Sequence, residues 1–285
     1  MSTQARTNVA PSAPRIGSRR HYLMCRPTYF TVEYAINPWM HPEDPADAGK
    51  AIAQWENLRR TYLELGHEVS LIDPVDGLPD MVFAANGATV VDGKVFGARF
   101  RYAERAAEGE AYLAWFKENA DKLGVTDLVM PTATVEGEGD LLTIGDKMLA
   151  GTGFRTDVAA HAELAAFLDR EVVTLHLVDP RFYHLDTALS VLDSDNVAYY
   201  PKAFAPQSLD VLRRLFPDAV LASDDDAVVL GLNAVSDGRR VVLPEQATGL
   251  IGQLTERGYE PVPVDLSELR KAGGGPKCCT LEIRS

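Results

Sequence analysis

From His21 onward, apolar and polar positions alternate in short runs separated by Gly/Asp turns, and each pair of runs leads into a stretch with helical spacing. The clearest copy starts at Asp80. Residues 82–85 and 89–91 read as strand, Asp92-Gly93 as a hairpin turn, and 95–98 as the returning strand. A helix from about 104 to 122 carries Tyr112, Leu113, Trp115 and Phe116 on one side, and a strand at 128–130 ends the unit. The same order recurs as strands at 140–144 and 148–151, a helix near 158–168 and a strand at 172–177. It recurs again as strands at 188–192 and 197–200, a helix near 209–216 and a strand at 219–221. Segments at 227–230, 234–238 and 241–243 then precede a helix near 247–257.

The first unit is less regular, with a strand at 22–25, a helix near 45–65 and a strand at 68–72. Five units of about 50 residues each have the spacing of repeat or propeller architectures. In a ring, unit one closes against unit five and the C-terminus returns beside the earlier units. Two separate β/α domains are the competing arrangement. Residues 1–18 are polar and aperiodic and read as a mobile tail, leaving 19–285 as a single domain.

The C-terminal stretch Gly273-Gly274-Gly275-Pro276-Lys277-Cys278-Cys279-Thr280-Leu281-Glu282-Ile283-Arg284 departs from this rhythm. Three glycines let the backbone pass close to a ligand, Pro276 stiffens the exit, and 280–283 alternates like a short half-buried strand. Two readings follow. The cysteines are buried thiols of a terminal strand, or one is a nucleophile presented at a strand start by a glycine loop.

A cysteine hydrolase also needs a proton carrier and a group that orients it or the substrate. His184 lies in Phe182-Tyr183-His184-Leu185-Asp186-Thr187, between units three and four. On an extended segment, His-x-Asp puts both side chains on one face, about 7 Å apart at the backbone. Glu136-Gly137-Glu138-Gly139-Asp140 lies between units two and three, and Asp80 between units one and two. Taken singly, His184 fits a hydrogen-bonded core position and the carboxylates fit a solvated loop. Their recurrence at corresponding junctions would bring them together on the axis of a closed ring. Other motifs are incomplete. Gly151-Thr152-Gly153 lacks a third glycine, there is no Walker lysine, and neither Ser190 nor Ser194 sits in a Gly-x-Ser-x-Gly elbow. Tyr199-Tyr200 and Trp39 read as packing residues.

Composition narrows the partners. A net charge of −13 over 285 residues argues against nucleic acid and anionic membranes and leaves room for a cationic small substrate, whose approach an acidic cleft would favour. No apolar run approaches the roughly 20 residues of a membrane span, and the N-terminus lacks the apolar core of a signal peptide. Three cysteines, two of them adjacent, make no disulfide framework, and no Cys/His spacing suggests zinc. A cytoplasmic protein is expected, and a homo-oligomer is compatible with the chain.

In combination and order, the Glu-Gly-x-Gly-Asp, His-x-Asp and Gly-Gly-Gly-Pro-Lys-Cys elements resemble the guanidino-group-modifying enzymes, the pentein superfamily. That superfamily includes arginine deiminases, dimethylarginine dimethylaminohydrolases, amidinotransferases and arginine dihydrolases. The resemblance spans residues 20–285 and implies an α/β fold, a five-bladed ββαβ propeller with an axial active site. It implies Cys278 as nucleophile, with Cys279 its neighbour, His184 as general acid/base, and Asp80 as a carboxylate that grips a guanidinium. Asp186 resembles a second such carboxylate. Arg105 and Arg155 match, by their spacing from Asn86 and Asp140, arginines that hold a substrate carboxylate.

The usual acidic element of the family is Glu/Asp-Gly-Gly-Asp, and the extra residue here leaves Glu136, the first choice for the catalytic carboxylate, and Glu138 as alternatives. Asn86, with Asn37-Pro38-Trp39-Met40 upstream, is closer to the arginine dihydrolases than to the dimethylarginine enzymes.

The implied function is cysteine-dependent hydrolysis of the guanidinium of arginine or Nω-methylated arginine. It gives citrulline, or ornithine after a second cycle, and needs no metal or organic cofactor. An amidinotransferase using the same thiouronium intermediate is an alternative. So is a non-catalytic binding protein, since one branch of the fold acts in ribosome assembly.

Overall fold

The period-2 runs form strands and the longer periodic stretches form helices, in the order strand, strand, helix, strand. The structure, a computed structural model, describes residues 15–284. In unit two, Ala88–Val91 pairs antiparallel with Lys94–Gly97 across Asp92 and Gly93, whose φ angles of 52° and 72° suit a tight hairpin. The helix Ala106–Glu118 then crosses over, and Asp127–Val129 returns parallel to the middle strand.

Unit three repeats this with Leu141–Ile144, Lys147–Thr152, the helix Val158–Leu168 and Glu171–His176. Unit four uses Leu189–Val191, Val197–Tyr199, Pro206–Leu215 and Val220–Leu221. Unit five uses Val235–Ser236, Arg240–Pro244, Thr248–Glu256 and Glu260–Val264.

Unit one explains its own irregularity. It has His21–Cys25, the helix Ala48–Glu64 and Glu68–Ile72, but its first strand is Leu281–Glu282 from the other end of the chain. Tyr22 pairs with Glu282 and Leu23 with Leu281, antiparallel, so the C-terminus completes unit one. Two residue pairs contribute little, since one net hydrogen bond is worth about 1 kcal/mol. The seam beside them contributes more. Tyr22, Trp55, Leu58 and Tyr62 of unit one pack with Val235, Val242 and Val264 of unit five, all buried. Burying each large apolar side chain is worth about 1.5–3 kcal/mol, so apolar packing closes the ring. Further apolar clusters join units one and two, units two and three, and units three to five. Together they run around the whole molecule.

The expected five ββαβ units are therefore present, with corrections at their edges. Residues 82–85 are not strand; the chain there forms the 3-10 turns Pro79–Val82 and Ala84–Gly87. Ala227 ends the helical turn Asp224–Ala227 and residues 228–230 are a turn, with Leu230 at φ 56°. The unit-two helix breaks at Asn119, which separates Ala106–Glu118 from Ala120–Leu123. Of the expected tail, residues 1–14 lie outside the described residues. Arg15 is anchored, stacking on Tyr259 and pairing with Asp193 at 2.5 Å. Among the described residues no helix is long and apolar enough to cross a membrane.

Candidate active site

Just before its first strand, each unit carries a polar residue on a short turn or extended bend. Unit two supplies Asp80 and Asn86 from its 3-10 turns, and unit three supplies Glu136 just ahead of the turn Gly137–Asp140. Unit four supplies His184 and Asp186, and unit five supplies Asn233. Cys278 stands ahead of the strand that completes unit one. His184-Leu185-Asp186 was expected to be extended, but Leu185–Ala188 is a helical turn. The two side chains accordingly find different partners, His184 meeting Glu136 and Asp186 meeting Cys278.

Close backbone approach makes this convergence possible. A Cβ at Gly139 would lie 2.3 Å from Asn86 Nδ2 and 3.2 Å from the His184 ring. A Cβ at Gly274 would lie 2.2 Å from the Phe83 ring. Either methyl would push these junction segments apart.

Cys278 is 2% exposed. Its thiol donates to Asp186 Oδ2 at 3.3 Å, and its sulfur accepts from Asn233 Nδ2 at 3.1 Å. Both cysteines precede the last strand. Cys279 is fully buried in the apolar cluster that joins units one and five.

Glu136 is fully buried. Its Oε2 accepts from His184 Nε2 at 2.7 Å and from Arg155 Nη1 at 2.8 Å, and its Oε1 accepts from Arg101 N at 3.1 Å. Burial alone would raise its carboxyl, but Arg155 and His184 outweigh burial and hold it well below the usual range. His184 then carries its proton on Nε2, and Nδ1 has no hydrogen-bond partner among the described residues. Arg155 also donates to Ile36 O and lies between the rings of Tyr102 and Tyr183, 4.7 and 4.6 Å from their centroids.

Arg105 is held in the same way. It binds both oxygens of Glu108 at 2.9 and 2.8 Å and donates to Asn86 Oδ1 at 2.9 Å. The other end of the Asn86 amide donates to Glu136 O at 3.3 Å. Asp80 Oδ2 accepts from Tyr34 OH at 2.8 Å, while Asp80 Oδ1 has no partner among the described residues.

Arg105 and Arg155 thus neutralise Glu108 and Glu136. Asp80, Asp140 and Asp186 each keep an oxygen with no donor among the described residues, and burial pushes the Asp80 and Asp186 carboxyls up, Asp186 to about 7 despite Lys277 and the Cys278 thiol. Burial likewise raises Asp140 to about 6, although its Oδ1 accepts from Leu185 N at 3.0 Å. Burial also pushes the Cys278 thiol well up, with Asp186 adding to it. Arg105 lies 3.9 Å from Asp80 Oδ2, and a further cation among these groups would meet the oxygens left without donors. Such a cation would bring the carboxylates down and leave the thiolate less costly.

Glu138 belongs to a different cluster. Its Oε2 accepts from Lys277 Nζ at 2.8 Å and Glu282 N at 3.0 Å, and its Oε1 from Arg284. Despite burial, Lys277 and Arg284 hold its carboxyl low. A cavity of about 620 Å³ is lined by Lys277, Glu282 and Arg284 but by none of Cys278, His184 or Glu136. Asn37 sits over the glycine loop, donating to Ala272 O at 3.1 Å. With Tyr34 and Ile36 it forms a segment across the site, and substrate entry to a thiol so covered requires some of this packing to move. Among the described residues no group of three or more His, Cys, Asp or Glu could hold a metal ion.

Three neighbours were not anticipated. Asn233 fills the junction between units four and five, where the repeat predicts a polar group. Glu108 lies three positions after Arg105, a spacing that signals a helical ion pair. Tyr34 lies in an aperiodic stretch that offers no signal.

A family model for arginine deiminase matches residues 55–218. A dimethylarginine dimethylaminohydrolase of Mycobacterium tuberculosis is 53% identical over 279 residues, covering 98% of this chain and 91% of that protein. The bifunctional arginine dihydrolase/ornithine cyclodeaminase ArgZ of Synechocystis is 38% identical over 92% of this chain, which spans 37% of that protein's length. The N-terminal domain of ArgZ, described as a cyanobacterial arginine dihydrolase bound to product, superposes with a TM-score of 0.87 at 35% identity. That match covers 94% of this chain and 98% of the domain.

Proposed function

The chain belongs to the arginine deiminase family of the pentein superfamily, and we propose that it uses Cys278 to hydrolyse the guanidinium of arginine or Nω-methylated arginine. It is a hydrolase of C–N bonds in linear amidines, as its relatives are. The observation that carries the assignment of residues is the pair of buried carboxylate oxygens, Asp80 Oδ1 and Asp186 Oδ1, that lack donors in a site whose own arginines are already paired. A guanidinium is a planar cation with N–H groups along its edges, and it supplies both the charge and the donors.

In the proposed reaction the bound cation favours loss of the Cys278 proton, which passes to His184 Nδ1. The thiolate attacks the central guanidinium carbon, forming a C–S bond and a tetrahedral adduct. The bond to one terminal nitrogen breaks as protonated His184 gives that nitrogen a proton, releasing ammonia or a methylamine. A thiouronium remains on Cys278. Neutral His184 then removes a proton from water as the oxygen attacks the same carbon, cleavage of the C–S bond returns the thiolate, and loss of the remaining hydroxyl proton to solvent gives citrulline. Because Nε2 faces Glu136, Nδ1 is the nitrogen assigned to these transfers.

A second round on citrulline, consuming water, gives ornithine, ammonia and carbon dioxide. The neutral amide of Asn86 supports this longer course, because it adds no charge that would favour the cation over the ureido group. Neither relative named above is an amidinotransferase, and water is the acceptor in this reading. The adjacent buried thiols, one of which must ionise, favour a reducing compartment such as the cytoplasm. Incubation with arginine and with dimethylarginine, followed by mass spectrometry of citrulline, ornithine and released amines, tests the function. Absence of turnover with every guanidino compound contradicts it.

A further inference from the structure

Asn233 is fully buried, and its amide is engaged on every side. Oδ1 accepts from Gly275 N and Cys278 N, each at 3.0 Å. Nδ2 donates to Asp186 O and to Cys278 Sγ, each at 3.1 Å. The orientation of the amide is forced, because two backbone N–H groups can meet only its oxygen. The other end must therefore face the sulfur.

The backbone is bent to bring this side chain in. Leu230 adopts φ 56°, a left-handed conformation costly for a branched residue, and Asn233 N donates back to Leu230 O at 2.9 Å. Main-chain contacts continue the link, since Lys277 N donates to Asn233 O at 3.3 Å. One side chain thus holds the glycine loop, the Asp186 turn and the sulfur itself.

We infer that Asn233 is a catalytic residue, donating to the Cys278 thiolate and fixing the loop that presents it. This deepens the reading of Cys278 as nucleophile and rests on it. The two partners of the sulfur respond oppositely to ionisation. Asp186 accepts from the thiol and repels the thiolate, whereas the Asn233 N–H bond becomes charge-assisted and strengthens. Burial and Asp186 both oppose thiolate formation, so a fixed donor matters most in the ionised state.

The test compares Asn233→Asp and Asn233→Ala with the wild-type chain. Aspartate keeps an acceptor for both backbone N–H groups but removes the donor to sulfur, and alanine removes all four bonds. Iodoacetamide modification of the Cys278 peptide is followed by mass spectrometry across pH, alongside kcat, KM and melting. In each folded variant the alkylation profile of Cys278 should move up by at least one pH unit, with kcat falling about 100-fold or more and KM changing less than threefold. An alkylation profile unchanged in a folded variant overturns the inference, whatever happens to kcat.

If both variants are unfolded, the Asn233 side-chain amide resonance of the wild-type chain decides. It should shift as Cys278 ionises, and a constant resonance overturns the inference. Wild-type failure to turn over any guanidino compound would instead overturn the functional reading, and alkylation, which needs no substrate, separates the two.

Discussion

His184 Nε2 lies 2.7 Å from Glu136 Oε2, an oxygen that also accepts from Arg155 at 2.8 Å. The carboxylate therefore sets both the tautomer and the tilt of the ring, and leaves Nδ1 for proton transfer. His184→Ala should lower kcat by a factor of about 1,000 or more while the fold survives, since both half-reactions need the proton. Glu136→Gln should cost about 100-fold or more, because the amide leaves the ring poorly oriented and Arg155 unpaired. Steady-state kinetics with a melting control checks both, and a Glu136→Gln enzyme within tenfold of wild type would mean that another group orients His184.

Glu138 is predicted to act on stability more than on chemistry. It joins Lys277, Arg284 and the backbone of Glu282 in a buried cluster apart from His184. Breaking a buried ion pair from one side costs about 3–5 kcal/mol. Glu138→Gln should therefore melt well below wild type, yet at a temperature where it is folded it should retain more activity than Glu136→Gln. The reverse ranking would exchange the roles of the two glutamates.

Asp186 links substrate binding to pH. Burial raises its carboxyl to about 7, so below that pH the free enzyme holds it neutral. A bound guanidinium favours the ionised form, and binding should release a proton. Calorimetry of Cys278→Ser with the turned-over substrate, at pH 6 in buffers of different ionisation heat, should show that release. Asp186→Asn should reduce it, the remainder coming from the other buried carboxyls.

Stability follows the same group. Between about pH 4 and 7 folded Asp186 keeps a proton that the unfolded chain has lost, so its contribution to stability falls as pH rises through that window. The melting advantage of Asp186→Asn over wild type should accordingly grow from pH 4 to 7 and level off above it. An advantage that shrinks instead would mean the carboxyl is not raised.

Position 86 should govern the product. Asn86 is a neutral link between Arg105 and Glu136 O. An aspartate would set a carboxylate against that carbonyl and add negative charge, favouring the cationic guanidinium over the neutral ureido group. The wild-type chain should carry arginine through citrulline to ornithine, and Asn86→Asp should shift the ratio towards citrulline. The citrulline-to-ornithine ratio over time checks this. A wild-type enzyme that accumulates citrulline and ignores it as a substrate contradicts it.

The five units were readable because hairpin turns such as Asp92-Gly93 and the helix periods mark each copy locally. What lay at the junctions was less readable. Val82-Phe83-Ala84-Ala85 has the composition of a strand, yet it coils into 3-10 turns because Phe83 must pack against the glycine at 274, a contact set by the far end of the chain. Residues 227–230 misled for a related reason. Their apolar run hides the left-handed Leu230 that delivers Asn233, so one junction looked empty. Cys278, His184, Glu136, Asp80 and Asp186, proposed from motif and position, all stand at unit junctions. Their hydrogen bonds were not readable, because local spacing does not say that Glu136 reaches His184 while Glu138 turns to Lys277.

The most direct measurement is acid-quenched mass spectrometry of the wild-type enzyme during turnover of its guanidino substrate, with Cys278→Ser and Cys279→Ser beside it. Both cysteines belong to the apolar cluster between units one and five, but among the described residues only the Cys278 sulfur has polar partners, Asp186 and Asn233. The account predicts a thiouronium mass on Cys278, no turnover by Cys278→Ser, and most activity retained by Cys279→Ser. An adduct on Cys279, or product formation by Cys278→Ser, would contradict it.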